Sequence, residues 1–211
     1  MTKNKKILLA VLAIILLAAA LVGPIMSNVE RPTYQLTASN GEIEIRDYDP
    51  RLVATVTVSG PRKDAIRSGF KILADYIFGN NTTASNISMT APVEQSQGEK
   101  ISMTAPVEQQ IDGMDWRITF TMPSQYTIDT LPKPINQSIQ IELVPAKTQA
   151  AITFSGMNSS DNLEKHELAL KNHIDKTDWV ITGSAHYAFY NPPWTLPFLR
   201  RNEILFDIRR K

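Results

Sequence analysis

Three histidines, His166, His173 and His186, are the side chains in this 211-residue chain best suited to ligate a metal or carry a proton near neutral pH. His166 and His173 stand seven apart on a predicted helix, about 10 Å along its axis, too far for both to reach one ion from a straight helix. They read as polar members of an amphipathic face shared with Leu163 and Leu170. His186 alternates with Ala188 and Tyr190 in a predicted strand, opposite Ala185, Tyr187 and Phe189, and faces either a pocket or solvent. No metal site is expected. A second pattern is cationic: Lys63, Arg67 and Lys71 recur every fourth residue beside Phe70 and Ala74, on one stripe of a predicted helix. Cations against an apolar wall suit a ligand with an apolar body and carboxylates, and the same stripe also reads as a solvated helix face. Met89, Met103 and the aromatic-rich tail from Tyr187 to Trp194 read as core and loop packing. The sequence contains no G-x-S-x-G, H-E-x-x-H or phosphate-binding loop, so no enzyme is expected.

The elements that position these residues follow from hydrophobic alternation. Strands are predicted over 34–37, 42–48, 52–58, 116–122, 139–144, 148–154, 184–190 and 203–208. Gly60-Pro61 opens a first helix with Ile66, Phe70, Leu73 and Ile77 as its apolar face and Gly79 as its C-cap. A second helix is predicted over 161–175. Val56-Thr-Val-Ser-Gly60 and Ile152-Thr-Phe-Ser-Gly156 lead into the two helices ninety-six residues apart, which suggests two related halves. The expected fold is α+β: two antiparallel sheets merging into a curved sheet or distorted β-barrel, with two principal helices and pseudo-two-fold halves. The nine residues Ile87-Ser-Met-Thr-Ala-Pro-Val-Glu-Gln95 recur unchanged as Ile101 to Gln109. Five residues containing Gly98 separate the copies, which reads as a hairpin.

At the front, Lys3, Lys5 and Lys6 precede an unbroken apolar run from Ile7 to Val22. Such a run is a membrane anchor or a signal peptide, with Ala18-Ala19-Ala20 as a small-residue cleavage site for the second. The lysines favour a cytoplasmic N-terminus and an extracytoplasmic domain, periplasmic or extracellular, or secreted if the signal is cleaved. The expected division is a membrane segment over 1–26, a linker over 27–32 and one domain over 33–211. Beyond residue 26 the chain keeps 19 Lys and Arg against 21 Asp and Glu, a formal charge of −2, which offers nucleic acid no platform. There is no cysteine, which excludes disulfides, thiolate chemistry and thioether-linked haem.

The repeated Met-Thr-Ala-Pro-Val resembles the signature of the SOUL haem-binding protein family, particularly its bacterial branch. Ile43-Glu-Ile-Arg-Asp-Tyr-Asp-Pro50, the stretch from Gly69 to Gly79, Asn191-Pro-Pro-Trp194 and Arg200-Arg-Asn-Glu203 are similar to it as well. The resemblance implies non-covalent binding of haem or another tetrapyrrole in an open apolar groove, for buffering or transport. It implies propionate contacts on the first helix, where Arg67 falls at a basic position, so Lys63, Arg67, Phe70, Lys71 and Ala74 are the expected binding residues. Asp75 and Thr195-Leu196 depart from lysines found in a haem-binding relative. A vertebrate member proposed to ligate iron through histidine has that residue where this chain has Asp47, so no axial protein ligand is implied. The alternative is a membrane-tethered module for another amphipathic small molecule or a protein partner.

Overall fold

A computed structural model describes Gly23 and residues 25–82 and 98–211. The chain runs β1 (Tyr34–Asn40), β2 (Ile43–Tyr48), β3 (Arg51–Val58), α1 (Arg62–Ile77), β4 (Asn81–Thr82), β5 (Val107–Asp112) and β6 (Asp115–Thr121). It continues through β7 (Lys133–Pro134), β8 (Gln140–Val144), β9 (Lys147–Phe154), α2 (Ser160–Ile174), β10 (Trp179–Ile181), β11 (His186–Phe189) and β12 (Asn202–Arg210). The fold is α+β, as expected, but the two expected sheets are one. An antiparallel ten-stranded sheet runs β1-β2-β9-β12-β11-β5-β6-β3-β8 with β10 beside β12, and β4 and β7 form a separate pair. The β5–β11 ladder, from Val107↔Phe189 to Gln110↔His186, joins the halves into a curled half-barrel.

From β2 to β8 the strand order reads the same from either end when β2, β9, β12 and β11 are matched to β8, β3, β6 and β5. In each half the first strand leads through two residues into the next, Asp49-Pro50 in one and Pro145-Ala146 in the other. Neither connection makes a hairpin. Instead β2 pairs with β9, and β8 pairs with β3, so each half hands its first strand to the other.

The sheet's two faces differ in chemistry. Under α1, Leu52, Ala54, Val56, Ile118 and Phe120 pack with Leu73, Tyr76 and Ile77. Under α2, Ile45, Ala150, Ile152, Ile204 and Phe206 pack with Leu163, Leu170 and Ile174. The opposite, inner face is largely polar. There Arg46 and Glu203, 1% and 0% exposed, meet in a bidentate pair with N–O distances of 2.9 and 3.0 Å. Tyr48 lies 3.0 Å from Arg46, while Tyr190 and Thr153 donate to Glu203 at 2.6 and 3.1 Å. The two charges thus meet each other and their hydroxyl partners through charge-assisted hydrogen bonds.

Several expectations need correction. The first nonapeptide copy lies outside the described residues. In the second, residues 101–106 are not strand: Ile101 enters the core beneath α1, and Thr104 donates its hydroxyl to the Thr121 carbonyl. Only Val107 to Gln109 join β5, whose edges are taken by β6 and β11, so this stretch has no free edge for a hairpin with the other copy. The hairpin is β5–β6, turned by Gly113 at φ 65°. Ser27 to Pro32, read as a linker, is bound to the domain: Ser27 is buried and the Glu30 carbonyl accepts from Ala105 at 2.9 Å. The apolar run 7–22 lies outside the described residues, among which no helix is long and apolar enough to cross a membrane.

The buried side of α1 comprises Ala65, Gly69, Leu73, Tyr76 and Ile77, rotated from the expected face, and Phe70 is 40% exposed. Gly69 is the reason. It lets the helix lie so close to β6 that a Cβ there would sit 2.6 Å from Ile118 Cδ1. Gly69→Ala is therefore expected to destabilise by about 1–3 kcal/mol through overpacking despite alanine's better helix propensity. Urea denaturation reads this, and adding Ile118→Val should recover part of the loss. A stabilised Gly69→Ala would contradict the packing argument.

Candidate functional site

α1 packs on β3 and β6, and α2 on β9, β12 and β10. Strands β5 and β11 lie between these footprints, so their helix-side residues form a floor between the two helices. The floor carries Val107, Gln109 and Ile111 from β5 and Tyr187 and Phe189 from β11. Arg62, at the first turn of α1, reaches over it. Its guanidinium donates to Gln109 Oε1 at 3.0 Å and lies 5.6 Å from the ring centres of both Trp116 and Tyr187. Its Nε is buried with no acceptor among the described residues. At the other wall the Tyr187 hydroxyl donates to Glu167 at 2.6 Å, and Lys171 pairs with Glu167 at 2.7 Å. Burial pushes the Tyr187 phenol up, and Glu167 adds to the shift.

Ile66 and Phe70 follow Arg62 at four-residue spacing and continue the α1 wall, with the Phe70 ring 5.4 Å from Phe120, edge on. Lys63 and Arg67 are both exposed and lie about 100° and 140° around the helix from Arg62. Ala74 is half-buried on the same stripe. Lys71 is exposed and nine residues from Arg62, two and a half turns, so it falls on the opposite side of the helix. Arg62 was missed by the stripe reading because, next to Pro61, it looks like part of a helix start. Its register with Ile66 and Phe70 was the available signal.

None of the three histidines lines the floor. His166 lies on α2 with its ring stacked on Phe154 at 4.1 Å and Nδ1 2.7 Å from the Asn162 carbonyl. It borders a separate open cleft of about 720 Å³ with Tyr34, Glu44, Arg200 and Arg201. His173 is half-buried on the same helix. Asp47 is exposed and accepts from Thr148 and Thr37 at 2.6 and 2.7 Å, which holds its carboxyl below the usual range. Among the described residues no group of three or more His, Cys, Asp or Glu is arranged to hold a metal.

His186 belongs to the inner face, with the sheet between it and the floor. It sits 3.6 Å from Glu108 and 3.7 Å from Asp207, beside an inner cavity of about 170 Å³ to which seven strands contribute. Arg51 faces Glu108 at 3.3 Å and Lys147 faces Asp207 at 2.9 Å. Burial alone would lower the His186 value, but Asp207 and Glu108 more than offset it and raise it. Burial would likewise raise Glu108, yet Arg51 and His186 bring it down to about 2. Asp207 is held well below the ordinary range against its burial by His186 and Lys147.

The signs give a two-sided pH profile. The depressed carboxylates contribute stability above about pH 4.3 that is lost as pH falls toward their folded values. The raised imidazole contributes stability below about pH 6.5 that is lost as pH rises through its folded value. The urea midpoint is thus expected to peak between these limits, and His186→Gln to remove the alkaline decline. An unchanged alkaline limb in His186→Gln would show that His186 is not its source.

Comparison with known proteins accords with this architecture. The chain is similar to human Heme-binding protein 2, 30% identical over 172 residues that cover 81% of this chain and 79% of that protein. It is also similar to the mouse Heme-binding protein 2, 30% identical over 166 residues, 78% of this chain and 77% of that protein. Among solved structures, the C-terminal domain of EcmrR superposes with a TM-score of 0.57 at 13% identity, covering 84% of this chain and 99% of that one. A hydrolase from Listeria innocua gives 0.51 at 12% identity, covering 82% and 94%. At such identities these two speak to the fold alone. The family model described as SOUL heme-binding protein matches residues 29–207, from the strapped segment before β1 into β12, and the chain belongs to that family.

Proposed function

We propose that this protein binds haem, or a related tetrapyrrole, non-covalently in the groove above β5 and β11, and buffers or carries it without transforming it. The carrying observation is Arg62, a half-buried cation whose buried Nε–H has no acceptor among the described residues and which is laid across an aromatic and aliphatic floor. A haem needs an apolar bed for its ring and cations for two propionates. Val107, Tyr187, Phe189 and Phe70 supply the bed, and Arg62, Lys63 and Arg67 supply cations. Bound haem would bring its iron and its absorbance. The absence of cysteine excludes a thioether link, and the floor carries no histidine to ligate iron. Family membership and the names of the curated relatives favour haem over other flat amphipathic molecules.

Titration of the full-length protein with haem is expected to give a saturable Soret shift and to quench Trp116, isolated by Trp179→Phe and Trp194→Phe. Arg67→Ala should weaken binding roughly ten- to hundredfold, the equivalent of about 1.5–3 kcal/mol for a charge-assisted contact. Its effect on stability should stay within about 1 kcal/mol, because the residue is exposed and helical. His166→Ala and His186→Gln should leave the Soret band nearly unchanged. No saturable binding at micromolar haem would transfer the groove to another amphipathic ligand or a protein partner. Loss of the spectrum in His186→Gln with none in Arg67→Ala would refute the groove.

The same proposal holds residues 1–26 in a membrane with the domain on its outer side. The three lysines before Ile7 and the unbroken apolar run support it. Protease added outside intact cells is expected to digest the domain, and full protection would reverse the topology.

A further inference from the structure

Within six residues after Pro193, the loop from β11 to β12 holds four large apolar side chains in solvent: Trp194 is 60% exposed, Leu196 38%, Phe198 70% and Leu199 39%. The loop is braced. Arg200 donates to the Pro193 and Thr195 carbonyls at 2.6 and 2.7 Å, Gly156 donates to the Pro197 carbonyl at 2.9 Å, and Asn191 accepts from the Arg201 amide at 2.6 Å. These side chains are therefore held outward by a fixed backbone. Residues 190–202 contain no acid and two arginines, of which Arg201 pairs with Glu203 and Arg200 braces the loop.

The start of the described chain lies on this same loop. Gly23 abuts Thr195 so closely that any side chain at 23 would overlap the threonine hydroxyl. Asn191 donates to Ser27 Oγ at 2.7 Å, which in turn donates to the Gly23 carbonyl at 2.8 Å. Ile25 and Met26 add 70% and 54% exposed apolar side chains beside it. The residue before Gly23 is Val22, the end of the sixteen-residue apolar run. A contiguous apolar surface of this kind marks an interaction site, and tryptophan with flanking arginine is the pairing favoured where hydrocarbon meets headgroups.

We infer that residues 192–199, with Ile25 and Met26, seat in the headgroup region of a lipid bilayer and fix how the domain stands on the membrane. The inference rests on the reading of residues 1–26 as a membrane segment: a span ending at Val22 delivers this loop directly to the interface, with no free tether between. Trp194 and Phe198 then enter the acyl boundary while Arg200 lies at the level of the phosphates.

The absence of native cysteine permits a clean test. Phe198→Cys and, as a control at the far β5–β6 turn, Met114→Cys each receive one nitroxide in the full-length chain. Met114 is 96% exposed, so neither site threatens the fold. The labelled chains are reconstituted in phosphatidylcholine–phosphatidylglycerol vesicles and read by collision with oxygen and with chelated nickel, while resistance to carbonate extraction reports anchoring. The label at 198 is expected to collide several-fold more with oxygen and several-fold less with nickel than the label at 114. Equal collision at both sites in an anchored chain would overturn the inference and leave the anchor standing. Shielding at 198 from both reagents would overturn it in favour of a protein cover, the chain's own segment 7–22 or a second copy. Extraction of the chain by carbonate would remove the anchor and the inference together.

Discussion

The buried pair between Arg46 and Glu203 fixes the arrangement on which everything else rests. It ties β2 to β12 across β9, and both charges sit where water cannot replace a lost partner. Such a pair adds little net stability, because desolvation offsets much of its attraction, yet leaving either charge alone is costly. Its main effect is on register. A one-residue slip of β2 would turn Arg46 into the Ile45, Ile204 and Phe206 cluster under α2 and Ile45 into the polar interior. Once the inner face is committed to Arg46, Glu203, Glu108 and His186, the apolar alternates must face the helices.

This division explains how far the sequence could be read. Alternation of Ile43 and Ile45 with Glu44 and Arg46 was enough to find β2 and the face it turns to α2, but not that Arg46 on its other face is buried as well. The Ser-Gly junctions likewise located both helices. The motif residues Arg46, Tyr48 and Glu203 were visible as a family signature, but their partnership is a contact across more than 150 positions that no local pattern encodes. The repeated nonapeptide misled for a related reason. Identical sequences suggest identical structure, yet the second copy spends Ile101 on the core and Thr104 on a backbone cap before its strand begins.

The candidate site was legible only in part. Helical spacing put Lys63, Arg67 and Lys71 on one stripe beside Phe70, because a period of four survives without knowledge of the fold. The floor beneath them was not legible, since it exists only where β5 meets β11. The same pairing decides the histidine question: Tyr187 and Phe189 point to the helices, so His186 must point inward, where Glu108 and Asp207 engage it. The sequence left that strand facing a pocket or solvent, with a plain structural role for His186 favoured over ligation, and the choice of face lay with its distant partners.

The exchange of first strands has a consequence for how such a chain comes to exist. Cut in the long connection after β6, the second half would hold β8 with nothing to pair, and the first would leave β2 paired with β1 alone, apart from the rest of its sheet. Two such halves complete one another only by mutual loan, which is the arrangement of a domain-swapped dimer. The present molecule has that topology with its two subunits fused into a single polypeptide. The β2 edge that takes β9 and the β3 edge that takes β8 stay open until the second half arrives, so the sheet closes only once both halves are present.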